Sequence, residues 1–225
     1  GEEVKSFIKK HGEFAAVCYN TPLDRAEKVG EHCLKSGHMS GSRHLFFVFE
    51  LKTVPRSAVD QLVRHYTGFV PNVQSLRYCN KDGKVNIYVA PELLQNEYMV
   101  KTIQDQENIV NAQYNYIQTY LEESGITGEK ANEIARTILP IGVATECSIA
   151  CNIESLIHLA NLRLCTRAEL PIRTIIKQMV DQVIAVEPRY KPYLVPQCKK
   201  LGYCPENNKN CPRYKLNNKE VKKHE

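Results

Sequence analysis

The stretch Arg64-His65-Tyr66-Thr67-Gly68-Phe69-Val70-Pro71-Asn72-Val73-Gln74-Ser75-Leu76-Arg77-Tyr78 lies where a helical pattern gives way to an extended one. Apolar residues recur at helical spacing across residues 55–65, so Arg64 and His65 are predicted at the end of a helix. Pro71 and the alternation over residues 70–80 favour a strand. Because strand side chains alternate between faces, Ser75 and Arg77 are predicted on one face. This density of cations and hydroxyl groups indicates an anion-binding site.

Helical and strand-like patterns are intermixed outward from this stretch, without a strict βαβ rhythm. Helices are predicted from about residue 20 to 35 and at 92–123, 129–138, 153–164 and 168–186, strands at 13–19, 44–52, 85–90 and 143–150, and a turn at 81–84. The mixture favours an α+β fold. We expect one domain over residues 1–195, followed by a tail at 196–225 that is rich in Cys, Pro and Lys.

The composition is that of an ordinary globular protein. The chain has 225 residues, of which 43% are hydrophobic and 24% charged, with a formal net charge of +5. No apolar run approaches the ~18 residues of a membrane span, and the first residues lack the apolar segment of a signal peptide. We therefore expect a cytoplasmic protein with no membrane and no nucleic acid as partner, and the modest positive charge suits a small anionic ligand.

The nine cysteines are an odd number, which argues against a framework of disulfides. Most are predicted to be reduced thiols. Cys198, Cys204 and Cys211 form a cluster in the tail, but their spacing is not the paired C-x-x-C of a zinc site. We expect no metal and interpret these three as structural or incidental cysteines; the alternatives are metal binding or a bridge formed on oxidation.

Several further windows match one known family in order and approximate spacing. They run from Cys18 to Arg173 and comprise Ser36-Gly37-His38-Met39-Ser40 with residues 44–49, Gln61-x-x-Arg64-His65, Ser75-x-Arg77-Tyr78, Ala135-Arg136-x-x-Leu139-Pro140, and Asn152-x-x-Ser155-Leu156 with Asn161-Leu162-Arg163. Together they resemble the motifs of the flavin-dependent thymidylate synthases. The resemblance implies a single α+β domain with a mostly antiparallel sheet flanked by helices.

The resemblance also implies an enzyme that forms dTMP from dUMP. In that family FAD binds at the subunit interfaces of a homotetramer, NADPH reduces the flavin, and methylenetetrahydrofolate supplies the carbon. It implies a catalytic Arg163 that activates the uracil ring. Carried over by position, the residues facing FAD would be His38, Ser40, Arg64, His65, Tyr66, Asn152 and His158, and those binding the nucleotide would be Gln61, Arg64, Ser75, Arg77, Arg136 and Arg163.

Three of the departures from the family pattern change the charge of a side chain. Tyr66 stands where the family has an arginine, Arg43 where it has a glutamate, and Glu154 where it has an arginine. Reversing one charge near a cofactor phosphate changes the sign of a Coulomb energy of ~1–4 kcal/mol at about 4 Å. Two alternatives therefore stay open beside the thymidylate synthase: a paralogue that methylates another pyrimidine nucleotide, and a non-catalytic protein that binds nucleotides.

Overall fold

The computed structural model describes residues 6–78 and 84–214. The α-helices among them are α1 (Phe7–Tyr19), α2 (Ala26–Lys35), α3 (Arg56–Leu62), α4 (Glu97–Glu123), α5 (Gly128–Ala135), α6 (Ile153–Arg163), α7 (Leu170–Val186) and α8 (Gln197–Leu201). The strands are β1 (Phe46–Pro55), β2 (Phe69–Val73) and β3 (Ala144–Asn152). The predicted turn at 81–84 falls, apart from Lys84, outside the described residues, as does the tail from residue 215.

The three strands form one sheet in the order β1-β3-β2. Both pairings are antiparallel. At one end of β1, the amide of Arg56 donates to the carbonyl of Val143 at 3.0 Å, and beside β2 the amide of Asn152 donates to the carbonyl of Gly68 at 2.9 Å. The predictions of an α+β class and an antiparallel sheet are confirmed.

The chain contacts define two compact units. The first contains the described residues up to 49 together with 65–70 and those from 149 onward, and the second contains residues 50–64 and the described part of 71–148. Each strand contributes residues to both units. The boundary between domain and tail at residue 195 stays a prediction.

In the first unit, α1 and α2 pack at two glycines. A Cβ on Gly12 would lie 1.7 Å from the carbonyl oxygen of Ala26, and one on Gly30 would lie 2.0 Å from that of Ile8. Both distances are far below van der Waals contact, so the two backbones touch only because these residues have no side chain. This close approach places the loop after α2 beside α1.

The prediction of a strand at residues 13–19 is wrong, because these residues form the second half of α1. The side chain of Ser6 caps the helix by accepting from the amide of Lys9 at 3.1 Å, and Asn20 ends it with a positive φ of 48°. The apolar residues Ala15 and Ala16 are buried within the unit. Tertiary burial of an amphipathic helix here outweighs a local preference for extended structure.

The second unit has its own small core. Val85, Val110 and Val143 are buried, and three partly buried apolar side chains pack around them: Leu76, Ile87 and Leu139. The predicted strand at 85–90 is reduced to an isolated bridge between Ile87 and Val143. Among the described residues, no helix combines the length and apolar character needed to cross a membrane.

Three predicted boundaries in the second unit are also wrong. The helix expected over 55–65 ends at Leu62, and the strand expected over 70–80 ends at Val73. The helix expected from residue 92 begins at Glu97, because the Asn96 side chain accepts from the amide of Met99 and caps it there. Turns fill the intervening segments.

Candidate active site

In the first unit, the structure brings His65 and Arg163 into contact. Arg163 is the last residue of α6, and its Nη2 and Nε lie 3.1 and 3.3 Å from Nε2 of His65. A guanidinium has only N–H donors, so Nε2 of His65 is the acceptor and the ring proton lies on Nδ1. The ring of His158, one turn earlier on α6, lies 6.3 Å from that of His65, edge to face.

The surroundings of His65 keep its ring neutral. Burial lowers the pKa of His65, and the positive charge of Arg163 and the nearby His158 lower it further. A neutral imidazole accepts from Arg163, whereas a protonated one would repel it. The site therefore carries a fixed cation that is held in place by an uncharged acceptor.

Asn152 connects this pair to the loop at residues 65–68. It caps α6, with its side-chain oxygen accepting from the amide of Ser155 at 2.9 Å, and its Nδ2 donates to the carbonyl of Arg43 at 3.3 Å. The hydroxyl of Ser155 donates to the carbonyl of Thr67. Asn152 is 6% exposed, and both polar atoms of its amide have protein partners, so it acts on the site by positioning the loop.

Gly68 lies against this cap with a φ of 65°. A Cβ on Gly68 would come within 2.2 Å of Nδ2 of Asn152 and 2.6 Å of Oγ of Ser155. Only glycine meets both requirements, a left-handed backbone and no side chain. The path of the loop that carries His65 and the exposed Tyr66 depends on this residue.

Two of the departures from the family pattern pair with each other. Nε of Arg43 lies 2.5 Å from one carboxylate oxygen of Glu154, and Nη2 lies 3.1 Å from the other. Glu154 is in the first turn of α6, where a negative charge is favourable. The resemblance implies a glutamate and an arginine at these positions, so both charges are reversed in this chain and the two side chains form an ion pair.

His38 and Ser40 lie in the segment between α2 and β1, and both are exposed. The carbonyl of His38 lies 3.1 Å from Nε2 of His11, a fully buried residue of α1. A Cβ on Gly41 would lie 2.3 Å from the His11 ring, so the ring packs directly under this segment. Burial lowers the pKa of His11 despite the hydrogen bond to His38. No sequence pattern pointed to His11, because the helix α1 that carries it is not predicted from local preferences.

The nucleotide-side residues Ser75 and Arg77 belong to the second unit, and the prediction that they share a strand face is wrong. They lie in a turn beyond β2, in which the amide of Tyr78 donates to the carbonyl of Ser75 at 3.3 Å. The Ser75 hydroxyl accepts from the amide of Arg77, also at 3.3 Å. A serine that bonds its own backbone competes with strand pairing, which favours the turn.

Arg77 faces carboxylates of α5. Its Nη2 lies 3.4 Å from Glu129 and its Nε 3.7 Å from Glu133. The carbonyl of Arg77 accepts from the side chain of Asn132 at 3.0 Å, and this amide in turn accepts from Gln118 at 2.7 Å. The buried amide pair thus fixes the backbone of Arg77, while its guanidinium stays partly exposed.

The remaining predicted nucleotide residues are on other elements of the second unit. Gln61 is half-buried on α3, Arg64 is exposed just beyond the end of that helix, and Arg136 is exposed at the start of the short 3-10 helix (Arg136–Ile138) that follows α5. Within the second unit, the structure thus gives an anchored environment to Arg77, and within the first unit to His65, Asn152 and Arg163.

Comparison with known proteins gives a consistent result. The family model described as thymidylate synthase complementing protein matches residues 9–189. A protein of Nitratidesulfovibrio vulgaris named flavin-dependent thymidylate synthase is 36% identical over 186 residues, covering 81% of this chain and 74% of its own. Proteins of the same name from Clostridium tetani and Pyrococcus abyssi are 30% and 32% identical, covering 84% and 80% of this chain and 78% and 76% of their own. The chain therefore belongs to an enzyme family, the thymidylate synthase complementing proteins or flavin-dependent thymidylate synthases.

Proposed function

We propose that the protein catalyses the reductive methylation of dUMP to dTMP, with FAD as cofactor and with methylenetetrahydrofolate and NADPH as co-substrates. The single observation that carries this proposal is the contact between Arg163 and a neutral His65. When bound, the flavin supplies the hydride chemistry. The protein's own task is to bind, orient and polarise the substrate.

Arg163 is suited to polarise the pyrimidine ring of the substrate. For C5 of uracil to attack a carbon electrophile, negative charge must develop on the ring, and a fixed guanidinium stabilises that charge. His65 accepts from two nitrogens of the guanidinium, which restricts its rotation. A donor that is already oriented loses little free energy to reorganisation during the reaction.

The donor set of the first unit suits a ligand rich in acceptors, such as an isoalloxazine or uracil edge. Arg163 has only donors, and the tautomer assigned to His65 places an N–H at Nδ1. We infer that His38, Ser40, His65, Tyr66 and His158 hold FAD and that Asn152 fixes the loop beside it. Arg64 would contact both ligands, and Gln61, Ser75, Arg77 and Arg136 would bind the nucleotide. We further infer a homotetramer that works in the cytoplasm.

One observation bears on how strongly any nucleotide is bound. Arg77, the expected phosphate ligand, faces Glu129 and Glu133, so an incoming phosphate must displace two carboxylates. Exposed ion pairs contribute only about 0.2–1 kcal/mol each, and a phosphate forms stronger, charge-assisted bonds. The carboxylates therefore weaken nucleotide binding without preventing it.

The test is dTMP formation by purified protein supplied with FAD, NADPH, methylenetetrahydrofolate and dUMP. Arg163→Ala should lower kcat by about 10²–10³-fold, the usual effect of removing one preorganised charge-stabilising donor, while FAD, followed at about 450 nm, stays bound. Arg163→Lys is the matched control, because lysine keeps the positive charge but lacks the planar guanidinium with its several N–H donors. Turnover of UMP or dCMP in place of dUMP would favour the other substrate, and failure to retain FAD would refute the flavoenzyme. Light scattering on the eluting peak tests the tetramer.

A further inference from the structure

Four cysteine side chains line one cavity in the first unit. They are Cys165, just beyond α6, Cys198 on α8, and Cys204 and Cys211 in the segment that follows α8. The cavity has a volume of about 60 Å³, and all four cysteines are partly buried and unbridged. The tail prediction included three of these residues, but nothing in the sequence spacing joined Cys165 to them.

The segment after α8 is fastened to the end of α6 by specific contacts. Arg213 donates to the carbonyl of Leu164 at 2.8 Å, and Arg167 pairs with Glu206 at 2.7 Å. The hydroxyl of Thr166 donates to Sγ of Cys211 at 3.2 Å. These contacts hold the tail against the end of α6, so the thiols of the tail and Cys165 line the same cavity.

The cavity has space for more than a single metal ion. In a zinc site the four sulfurs lie about 2.3 Å from the metal, which places them roughly 3.8 Å from each other by tetrahedral geometry and leaves no space between them. Consistently, no three His, Cys, Asp or Glu side chains of the described chain are close enough to hold one ion. A volume of 60 Å³ instead equals about four to six water-probe spheres.

Four cysteine thiolates are the usual ligands of an iron–sulfur cluster, which is larger than a single ion. We propose that Cys165, Cys198, Cys204 and Cys211 ligate a cluster of the [4Fe–4S] class, each thiol releasing its proton to solvent as its sulfur bonds to iron. Four thiolates and a [4Fe–4S]²⁺ core carry a net charge of −2. The cavity wall offers Arg213 as a cation, and the charge of Glu206, the carboxylate in the wall, is offset by Arg167.

The position of the cavity gives the cluster a consequence for the rest of the first unit. Cys165 follows Arg163 by two residues, so a cluster bound there would tie the end of α6 to the tail. The cluster would thereby act as a structural staple, in the way that metal sites stabilise small folds. This inference does not depend on the proposed thymidylate synthase activity.

The experiment is anaerobic purification of the full chain and reconstitution with sulfide and equal amounts of ferrous and ferric iron, which together give the 2+ core without a further oxidant. Iron and acid-labile sulfide are then measured per chain, since neither assay detects flavin, and an electron paramagnetic resonance spectrum is recorded after reduction with dithionite. About four irons and four sulfides per chain are expected. Cys204→Ala and Cys211→Ala should each lose most of both, whereas Cys18→Ala, which removes an exposed thiol outside the cavity, should keep the full content.

Several results would overturn the assignment. The assignment would be wrong if the reconstituted wild-type protein retained less than about one iron per chain. It would also be wrong if the protein bound one zinc without sulfide, or formed disulfides among the four cysteines. Cluster content that is unchanged in Cys204→Ala would also exclude these ligands. The iron and sulfide content of the wild-type protein is decisive by itself. The proposal can therefore be refuted even if a variant fails to fold, as judged by circular dichroism.

Discussion

Gly68→Ala should destabilise the protein far more than an alanine at a glycine of similar backbone conformation. The added Cβ would lie 2.2 Å from Nδ2 of Asn152 and 2.6 Å from Oγ of Ser155. Neither side chain can remain in place, so the cap of α6 and the hydrogen bond from Ser155 to Thr67 are both lost. The loop that carries His65 then loses its attachment to α6.

The magnitude follows from three contributions. An alanine at positive φ costs about 1–2 kcal/mol, loss of the Asn152 cap about 1 kcal/mol, and loss of the Ser155 hydrogen bond about 1 kcal/mol. The expected total is about 3–4 kcal/mol. Gly37→Ala is the matched control, because Gly37 has a φ of 74° and nothing within 4 Å of the added Cβ, which leaves only the backbone cost of about 1–2 kcal/mol.

The assay is urea unfolding of both variants and the wild type, followed by circular dichroism, together with FAD titration. We expect Gly68→Ala to lose about 2 kcal/mol more than Gly37→Ala and to bind FAD more weakly. Equal losses for the two variants would mean that the cap and the loop are not coupled as the geometry requires. The reasoning about the path of the His65 loop would then fail.

Three further predictions concern charged groups of the first unit. The single variant Glu154→Arg should be less stable because it places two cations together, whereas the double variant Arg43→Glu/Glu154→Arg should recover the wild-type unfolding midpoint. A double variant as unstable as the single one would show that this ion pair does not contribute to stability. Burial raises the pKa of Glu187, but the hydrogen bond and charge of Arg189 outweigh burial and leave that pKa below its ordinary value. The contribution of Glu187 to folding stability is therefore complete above about pH 4.5 and is lost as the pH falls through the lowered folded pKa. When the free energy of unfolding is measured from pH 3 to 7, it should depend less on pH in Glu187→Gln than in the wild type, and it should be lower by about 2 kcal/mol at pH 7. An unchanged pH dependence would mean that another group causes the acid sensitivity. Because the pKa of His65 is lowered in the folded state, protonation of His65 favours unfolding, so stability is highest above about pH 6.5 and decreases as the pH falls towards the folded pKa. Formation of dTMP should decline in the same range, and His65→Gln, which keeps an acceptor for Arg163, should decline less; identical profiles would exclude His65 as the titrating group.

Much of the secondary structure could be predicted from local patterns. The β-rich run at residues 44–52 and the helical periodicities at 153–164 and 168–186 correspond to β1, α6 and α7 within a few residues. Errors occurred where a local preference met a tertiary contact or a side chain that bonds its own backbone. The helix α1 depends on burial against α2 at Gly12 and Gly30, and the turn at Ser75 depends on its hydroxyl.

The family could also be identified from the sequence, because its motifs are local and their order survives divergence. The side-chain contacts within the candidate site could not be predicted from these motifs. Arg43 and Glu154 read as two separate departures until the structure placed their charged groups 2.5 Å apart. The same holds for His11, which precedes the predicted strand at residues 13–19 and lies in α1.

The sequence by itself determined which residue types are available, the α+β class and the family, because propensity and motif spacing act over a few residues. Only the tertiary structure decided which of them meet. His65 and Arg163 are far apart in the chain and touch because the cap of α6 fixes the loop at Gly68, and Cys165 shares a cavity with three tail cysteines because the tail is fastened to the end of α6. Long-range contacts depend on the packing of whole elements, and local sequence patterns do not encode that packing.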